Sequence, residues 1–204
     1  FDLGVSCVLL ALTWPLMVMT ALAIKLEEGV GAPVLYRQLR IGEHGRPFVL
    51  FKFRSMRAAG AGESGMPSTQ YEDARVTIVG RIIRRLRVDE LPQLVNVLTG
   101  RMSLVGPRPV LPCSFSRFSE QVPFYAERHR VRPGLTGWAQ VNYPDGTTCA
   151  DARGKLEFDL YYVKNHDVLL DLLILVRTLE VVLFGRGFAD ERKKAFFASG
   201  RRCL

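Results

Sequence analysis

The chain has 204 residues, enough for one domain with a sizeable core, and carries a net charge of +8. This excess of lysine and arginine favours anionic partners, namely nucleic acid, anionic lipid or phosphorylated substrates. Its four cysteines form no C-x-x-C pair, which disfavours zinc-binding and disulfide-scaffold proteins. The mean hydropathy is slightly positive although 24% of the residues are charged, so we expect apolar and charged segments to be segregated, as in a membrane-attached protein.

The N-terminal segment Leu3–Leu26 is almost wholly apolar and has the length of a membrane span. Trp14 and Pro15 fall in its middle, where an internal proline removes a backbone hydrogen bond and kinks the helix. The hydroxyl of Thr13 is a candidate partner for the carbonyl that this proline frees. The residues themselves leave two predictions open, a kinked spanning helix or a re-entrant helix-break-helix that returns to the same leaflet.

The next segment, residues 33–56, is predicted to form a β-hairpin around Glu43–Arg46. Alternation puts Val49, Phe51 and Phe53 on one apolar face and basic residues on the other. The basic face suits lipid headgroups or a nucleotide, and a solvated strand face is equally compatible with it.

A loop and a basic helix are predicted between the hairpin and the chain centre. Residues 58–69 are rich in glycine, serine and alanine, which is typical of a loop. Residues 72–87 place isoleucines and a leucine on one side and arginines mostly elsewhere. This pattern predicts a basic amphipathic helix at an interface.

Two adjacent carboxylates, Asp89 and Glu90, precede a short predicted helix. Leucine and valine side chains recur at i, i+3, i+4 and i+7, which gives that helix one apolar face comprising Leu91, Leu94, Val95 and Leu98. Pro92 suits its first turn, so the two carboxylates are expected at its N-terminus. The flanking arginines are Arg81, Arg84, Arg85, Arg87, Arg101 and Arg108. This pattern fits either ordinary capping with ion pairs, or a site for Mg²⁺ and phosphate.

The turn Gly106-Pro107-Arg108-Pro109 favours the second interpretation. Its two prolines fix φ and lower the entropy cost of presenting the guanidinium of Arg108. An arginine that binds phosphate through two parallel hydrogen bonds benefits from such a rigid backbone, whereas a solvated surface arginine needs none.

The C-terminal third contains an aromatic segment, a glycine-containing run and two predicted helical regions. Core packing is the expected role of the aromatic residues in 112–129. Arg132 stands before Pro-Gly-Leu-Thr-Gly, which predicts tight turns. Charges interrupt the apolar run Val168–Phe184 and favour an amphipathic helix over a span.

Several of these runs, in this order, resemble one family, the bacterial sugar transferases or monotopic phosphoglycosyl transferases. They are PVLYRQLRIGEHGRPFVLFKFRSMR, VDELPQLVNVLTGRMSLVGPRP, RVRPGLTGWAQVNY and KLEFDLYYVKNH. The resemblance implies a mostly α protein with a small β-hairpin, attached to the membrane as a monotopic protein. It implies a re-entrant helix-break-helix over residues 1–26, a cytosolic catalytic domain with interfacial amphipathic helices over 27–188, and a basic tail over 189–204.

The resemblance also implies an activity. The family transfers a sugar-1-phosphate from a UDP-sugar to a polyprenyl phosphate such as undecaprenyl phosphate and releases UMP, which initiates a surface glycan. By resemblance Asp89 is the nucleophile, Glu90 orients the site or handles protons, and Mg²⁺ binds near Asp89. The phosphate-binding candidates are Arg84, Arg108 and Arg132. The expected location is the bilayer of the bacterial inner membrane at its cytoplasmic face, and a homo-oligomer is left open.

Two other function classes compete with the enzyme. A non-catalytic basic scaffold on anionic lipid would use Asp89 and Glu90 only as a helix cap. A nucleic-acid binder is disfavoured because the sequence has no recognisable nucleic-acid fold or base-stacking motif. Only the enzyme would release UMP from a UDP-sugar.

Overall fold

The computed structural model describes residues 1–57, 75–144, 146 and 148–184, with side chains through Val181. This part is mostly helical and contains two small sheets, which confirms the predicted mostly α architecture with a β-hairpin. The predicted loop 58–69 and the basic tail 189–204 lie outside the described residues. Contacts divide the chain into a first unit, Phe1–Gln38 with Val49–Leu98, and a second unit, Leu39–Phe48 with the chain from Thr99 onward.

The described helices and strands follow one another along the chain in a mixed order. They are α1 Asp2–Glu28, β1 Leu35–Ile41, β2 Pro47–Phe53, α2 Ile78–Arg85, α3 Gln93–Leu98, β3 Ser103–Val105, α4 Pro112–Gln121, β4 Gly134–Thr136, α5 Trp138–Asn142, α6 Cys149–Asn165 and α7 Val168–Phe184. Within the described residues, three 3₁₀ turns lie between them, at Glu43–Gly45, Val88–Glu90 and Tyr125–Arg130.

The N-terminal helix α1 is long and apolar enough to cross a membrane. An 18-residue window within it has a mean hydropathy of 2.2, and only 11% of that window is buried within the protein. The structure describes one helix through Pro15, so the predicted break at Trp14-Pro15 is not confirmed and the re-entrant path stays a prediction. The Thr13 hydroxyl donates to the carbonyl of Leu9 at 2.7 Å. Pro15 frees the carbonyl of Ala11, not that of Leu9. The prediction that Thr13 binds the freed carbonyl was therefore wrong.

Helix α1 also caps α2 in the first unit. The carboxylate of Glu27 accepts hydrogen bonds from the N–H groups of Ile78 at 2.7 Å and Val79 at 2.9 Å. These are N–H groups that have no partner within their own helix. A Cβ on Gly80 would collide with the carbonyl oxygen of Ser55, so α2 packs directly against the chain that follows β2.

Helix α2 is amphipathic, as predicted, but most of its apolar side chains face away from the protein. Only Ile83 is buried, at 5% exposure, whereas Ile78, Ile82 and Leu86 are exposed. An exposed apolar face flanked by arginines fits a helix that lies at an interface.

The predicted hairpin is present, since β1 and β2 form a two-stranded sheet. The predicted apolar face of β2 was partly wrong, because Leu50 is buried at 2% exposure and Val49 is exposed. Alternation resumes in the other phase at Phe53, which is buried. The shift occurs where the side chain of Asn96 binds the strand, accepting from the N–H of Phe51 at 3.1 Å and donating to the carbonyl of Val49 at 2.7 Å.

Helix α3 differs from its predicted register. Leu94 and Val97 are buried at 1% exposure and Asn96 at 0%, while Val95 is 40% exposed. The prediction assigned the apolar Val95 to the core, but the amide of Asn96 occupies that place because it satisfies two backbone groups of β2.

The second unit contains a sheet that the sequence did not predict. Strand β3 pairs with β4 in parallel, with Ser103 opposite Gly134 and Val105 opposite Thr136. The tight turns expected at Pro-Gly-Leu-Thr-Gly were therefore wrong over Gly134–Thr136. Glycine is needed here for close approach, since a Cβ on Gly134 would collide with the backbone nitrogen of Gly106.

In the second unit the aromatic segment packs as predicted, whereas α7 is apolar over more of its surface than the predicted amphipathic helix. Phe118 and Tyr125 are buried in one cluster with Leu156, as expected for the aromatic segment. In α7, Ile174 is fully buried, whereas Leu169 and Leu179 are exposed at 75% and 60%. Helix α7 is therefore apolar on both a packed side and an exposed side.

Candidate active site

The two adjacent carboxylates lie in the 3₁₀ turn Val88–Glu90, ahead of α3 rather than in its first turn. Arg87 precedes the turn with φ of 58°, in the left-handed region. This conformation costs a residue with a Cβ about 1–2 kcal/mol. Strain of this kind persists where the surrounding structure enforces it, and it turns the chain sharply from α2 towards Asp89.

Asp89 is a buried carboxylate without full compensation. Asp89 is only 8% exposed. Its Oδ1 accepts no hydrogen bond within the described part of the chain. Burial raises the pKa of Asp89 above its ordinary value, and the neighbouring charge of Glu90 raises it further. Lys52, Arg87 and Arg84 act in the opposite direction, with a smaller combined effect.

Glu90 is held by a lysine from the hairpin. Lys52 Nζ lies 2.7 Å from Glu90 Oε1, and the two side chains are 21% and 12% exposed. Arg87 approaches the same oxygen at 4.0 Å. The sequence placed Lys52 only on a basic strand face, because no local spacing connects a strand residue to a carboxylate so far along the chain.

Arg84 is the predicted phosphate ligand that lies in the same unit as the carboxylates. Its Nε donates to the hydroxyl of Ser55 at 2.8 Å, and the residue is exposed. Its charge is one of those that lower the pKa of Asp89. The first unit therefore brings together Asp89, Glu90, Arg84 and the two cations that the prediction had not assigned, Lys52 and Arg87.

The other two predicted arginines, Arg108 and Arg132, lie in the second unit. The turn that carries Arg108 is almost completely buried: Gly106, Pro107 and Pro109 are buried, and Arg108 itself is of intermediate exposure. The N–H of Gly106 donates to the carbonyl of Thr136 at 2.8 Å.

Arg132 lies beside this turn through its backbone. A Cβ on Gly106 would collide with the carbonyl oxygen of Arg132, and the N–H of Gly134 donates to the carbonyl of Pro107 at 3.0 Å. The side chain of Arg132 is exposed. The structure therefore brings the segments that carry Arg108 and Arg132 together through contacts between their backbones.

The residues around Asp89 fit a Mg²⁺ ion only if the phosphates of a substrate supply further ligands. The described residues hold no group of three or more histidine, cysteine, aspartate or glutamate side chains that could hold a metal ion. Mg²⁺ is commonly bound through one or two carboxylates together with substrate phosphates. The unpartnered Oδ1 of Asp89 offers one such ligand, whereas Glu90 is engaged by Lys52.

Comparison with known proteins gives a consistent result. The family model described as bacterial sugar transferase matches residues 1–185. An Aeromonas hydrophila protein named UDP-N-acetylgalactosamine-undecaprenyl-phosphate N-acetylgalactosaminephosphotransferase is 45% identical over 186 residues, which are 91% of this chain and 43% of that protein. The exopolysaccharide production protein PSS of Rhizobium leguminosarum is 41% identical over 92% of this chain and 96% of its own length.

A third relative comes from Escherichia coli K12. It is named UDP-glucose:undecaprenyl-phosphate glucose-1-phosphate transferase and is 40% identical over 87% of this chain and 38% of that protein. The chain thus spans less than half of the Aeromonas and Escherichia proteins and nearly all of the Rhizobium protein. Because the family model covers almost the whole chain, this protein belongs to the bacterial sugar transferase family.

Proposed function

We propose that this protein transfers a sugar-1-phosphate from a UDP-sugar to undecaprenyl phosphate through a covalent intermediate on Asp89. The observation that carries the proposal is the buried, incompletely hydrogen-bonded carboxylate of Asp89 among three cations. The names of the relatives support the general reaction. A scaffold that only bound lipid would have no use for this carboxylate, because burying it without full compensation lowers stability.

In the first half-reaction an oxygen of Asp89 attacks the β-phosphorus of the UDP-sugar. The bond from this phosphorus to the oxygen that bridges the two phosphates breaks, and that oxygen leaves as part of UMP. The sugar-1-phosphoryl group remains on the carboxylate as an acyl phosphate. A covalent relay of this kind divides one difficult transfer between two anions into two steps.

In the second half-reaction a phosphate oxygen of undecaprenyl phosphate attacks the same phosphorus. The bond to Asp89 breaks, the carboxylate is regenerated, and undecaprenyl diphosphate-sugar leaves. Partial desolvation suits Asp89 to the first attack, since burial raises its pKa and makes the carboxylate a stronger nucleophile.

The surrounding charges have separate proposed roles. Lys52 and Glu90 hold each other next to Asp89 and set the local field, which gives Glu90 an orienting role. Arg84, Arg108 and Arg132 are proposed to bind phosphate oxygens. Mg²⁺ bound at Asp89 would supply charge neutralisation of the diphosphate.

The decisive experiment is to trap the intermediate. Purified protein incubated with Mg²⁺ and a UDP-sugar, without lipid acceptor, is expected to release one equivalent of UMP and to gain the mass of one sugar-phosphate. Peptide mass spectrometry should place that mass on Asp89, and steady-state kinetics with acceptor should be ping-pong.

Two variants control the trapping experiment. Asp89→Asn should form no adduct, and Glu120→Gln, an exposed carboxyl change on α4, should form it like the wild type. An adduct on any other residue, or none in a single turnover that releases UMP, would refute the role given to Asp89.

The sugar is best identified by a panel of UDP-sugars in the same assay. UDP-N-acetylgalactosamine and UDP-glucose are the first candidates, because the relatives' names contain these sugars. The substrate should be the donor that gives the fastest burst of UMP.

Arg108→Lys should lower kcat/KM for UMP release by about 10- to 150-fold, equivalent to about 1.5–3 kcal/mol of lost charge-assisted hydrogen bonding. Lysine keeps the positive charge but cannot form the two parallel bonds of a guanidinium. The exposed change Arg101→Lys is the matched control and should retain full activity. If the activity of Arg108→Lys stays within about twofold of wild type, Arg108 is a solvated residue and makes no bidentate contact with phosphate.

We further propose that the active site faces the cytoplasm and that α1 re-enters rather than spans the bilayer. Pro15 divides the apolar run into halves too short for a hydrocarbon core of about 30 Å, and Lys25 and Arg37 favour a cytoplasmic end. With Cys7→Ser, a Phe1→Cys thiol in intact cells should resist a membrane-impermeant reagent until permeabilisation.

The matched control for this topology test is Val30→Cys, an 84% exposed position after α1. Its thiol should be protected in intact cells whether α1 spans or returns, since both place this end in the cytoplasm. Labelling of Phe1→Cys from outside, with Val30→Cys protected, would establish a spanning helix.

A further inference from the structure

Helix α6 presents two buried polar side chains, one turn apart, that have no role in the proposed chemistry. Asp159 is 1% exposed and Tyr162 is 5% exposed. Residues three apart on a helix share one face. Because a buried carboxylate destabilises a protein unless it is paired, these side chains are expected to hold something specific.

Asp159 holds an arginine that reaches the Gly-Pro-Arg-Pro turn. Arg128 Nη2 lies 2.7 Å from Asp159 Oδ2, and the two side chains are 6% and 2% exposed. The same Nη2 donates to the backbone carbonyl of Arg108 at 3.0 Å, while Nη1 donates to the Tyr125 hydroxyl at 3.0 Å. The guanidinium of Arg128 is thus fixed by side chains and fixes the main chain of Arg108 in turn.

Tyr162 holds the other side of the same turn. Its hydroxyl lies 3.1 Å from the carbonyl oxygen of Val105 and 2.8 Å from Oδ1 of Asp171. Val105 and Arg108 flank the Gly106-Pro107 pair. One face of α6 therefore anchors the turn at two places, at Val105 before it and at Arg108 within it.

These contacts add to the constraint that the prolines supply. The proline rings fix φ at positions 107 and 109, and Pro109 limits the ψ angle of Arg108 to extended values, but neither ring fixes the φ angle of Arg108. The buried hydrogen bond from Arg128 holds the Arg108 carbonyl in one orientation within that range. An arginine on a fixed backbone loses less entropy when it binds a phosphate with two bonds.

We propose that Asp159 and Tyr162 are positioning residues for Arg108, with Asp159 acting through Arg128. The inference rests on the proposed function, in which Arg108 binds a phosphate of the substrate. Neither α6 residue touches the substrate, and their effect on catalysis passes through the backbone of residues 105–108.

A double-mutant cycle tests this coupling. Asp159→Asn and Tyr162→Phe should each lower kcat/KM for UMP release by about tenfold at a temperature at which the variants remain folded. In an Arg108→Lys background the same substitutions should lower it by less than about twofold, because the arginine they position has already been removed. Equal losses in both backgrounds would overturn the proposal.

A destabilised control separates positioning from general weakening of the fold. Ala152→Gly lies on α6 in the aromatic cluster and should lower the melting temperature without contacting Arg128. Its kcat/KM should stay close to wild type at the same temperature. Should Asp159→Asn fail to fold, Tyr162→Phe carries the test, since it removes only one hydroxyl.

Hydrogen exchange supplies a measurement that does not depend on activity. Amides in residues 105–110 should exchange faster in Asp159→Asn and Tyr162→Phe than in wild type or Ala152→Gly, because their turn loses an anchor. Unchanged exchange in both variants overturns the positioning. A wild-type protein that releases no UMP from any UDP-sugar refutes the proposed function instead, and the exchange result then decides the structural coupling by itself.

Discussion

Asp89→Asn is expected to reduce UMP release to the background rate and, at the same time, to raise the melting temperature at pH 7. The amide keeps the shape of the side chain but cannot attack phosphorus, so the covalent step is lost. The gain in stability follows from the pKa of Asp89, which burial and the charge of Glu90 raise above its ordinary value of 3.8.

The sign of the stability effect follows from proton binding. A raised pKa means that the folded protein binds the proton of Asp89 more tightly than the unfolded chain does. The unfolding free energy is therefore highest at a pH below the unfolded pKa, and it falls as the pH rises through the folded pKa. At pH 7 the ionised carboxylate lowers stability, and asparagine removes that penalty.

Melting curves in detergent or nanodiscs check this prediction. The difference in melting temperature between Asp89→Asn and wild type should be largest near pH 7 and should shrink towards pH 4. Glu90→Gln is the informative neighbour: it should also slow turnover, because Lys52 loses its partner, but it should still form the adduct on Asp89. Near wild-type UMP release by Asp89→Asn would end the covalent mechanism, whatever its stability.

Local patterns predicted the elements whose signals are local. The long apolar segment, the hairpin around Glu43–Gly45 and the amphipathic helix α2 all have periodicity or turn residues within a few positions, and the structure contains each of them. The prolines at positions 107 and 109 are also a local signal, since they limit the backbone around Arg108, but the contacts from Arg128 and α6 that hold this turn are not local.

Long-range pairs were not predictable in this way. The parallel pairing of β3 with β4 joins segments about thirty residues apart, and each strand is only three residues long. Lys52 with Glu90 and Arg128 with Asp159 are ion pairs between distant segments, and isolated charged residues usually lie on the surface. Nothing in a single sequence indicates which of many such charges will be buried.

The predicted buried face of α3 was wrong for a different physical reason. Periodicity counts apolar residues as core and polar residues as surface, and it therefore exchanged Val95 for Asn96. A polar side chain is retained in a core when it completes hydrogen bonds of the backbone, and the two bonds of Asn96 to β2 do so. This contact adjoins Lys52 in β2, and we expect it to help place that lysine beside Glu90.

Asn96→Leu should accordingly destabilise the protein by about 2–6 kcal/mol. Leucine is close to asparagine in size, but it leaves the N–H of Phe51 and the carbonyl of Val49 without the partners they have in the native protein. Each backbone group that loses its partner in this part-buried contact costs about 1–3 kcal/mol, and the two losses add because leucine replaces neither bond.

Denaturant unfolding measures this effect as a lower midpoint with an unchanged slope. Val95→Ala, the neighbouring position at 40% exposure, is the matched control and should cost less than about 1 kcal/mol. Hydrophobic periodicity alone would predict the opposite order, with the larger loss of stability at Val95 and little loss at Asn96. If Asn96→Leu unfolds at the wild-type midpoint, the amide does not bridge the strand, and the placement of Lys52 beside Glu90 must depend on other contacts.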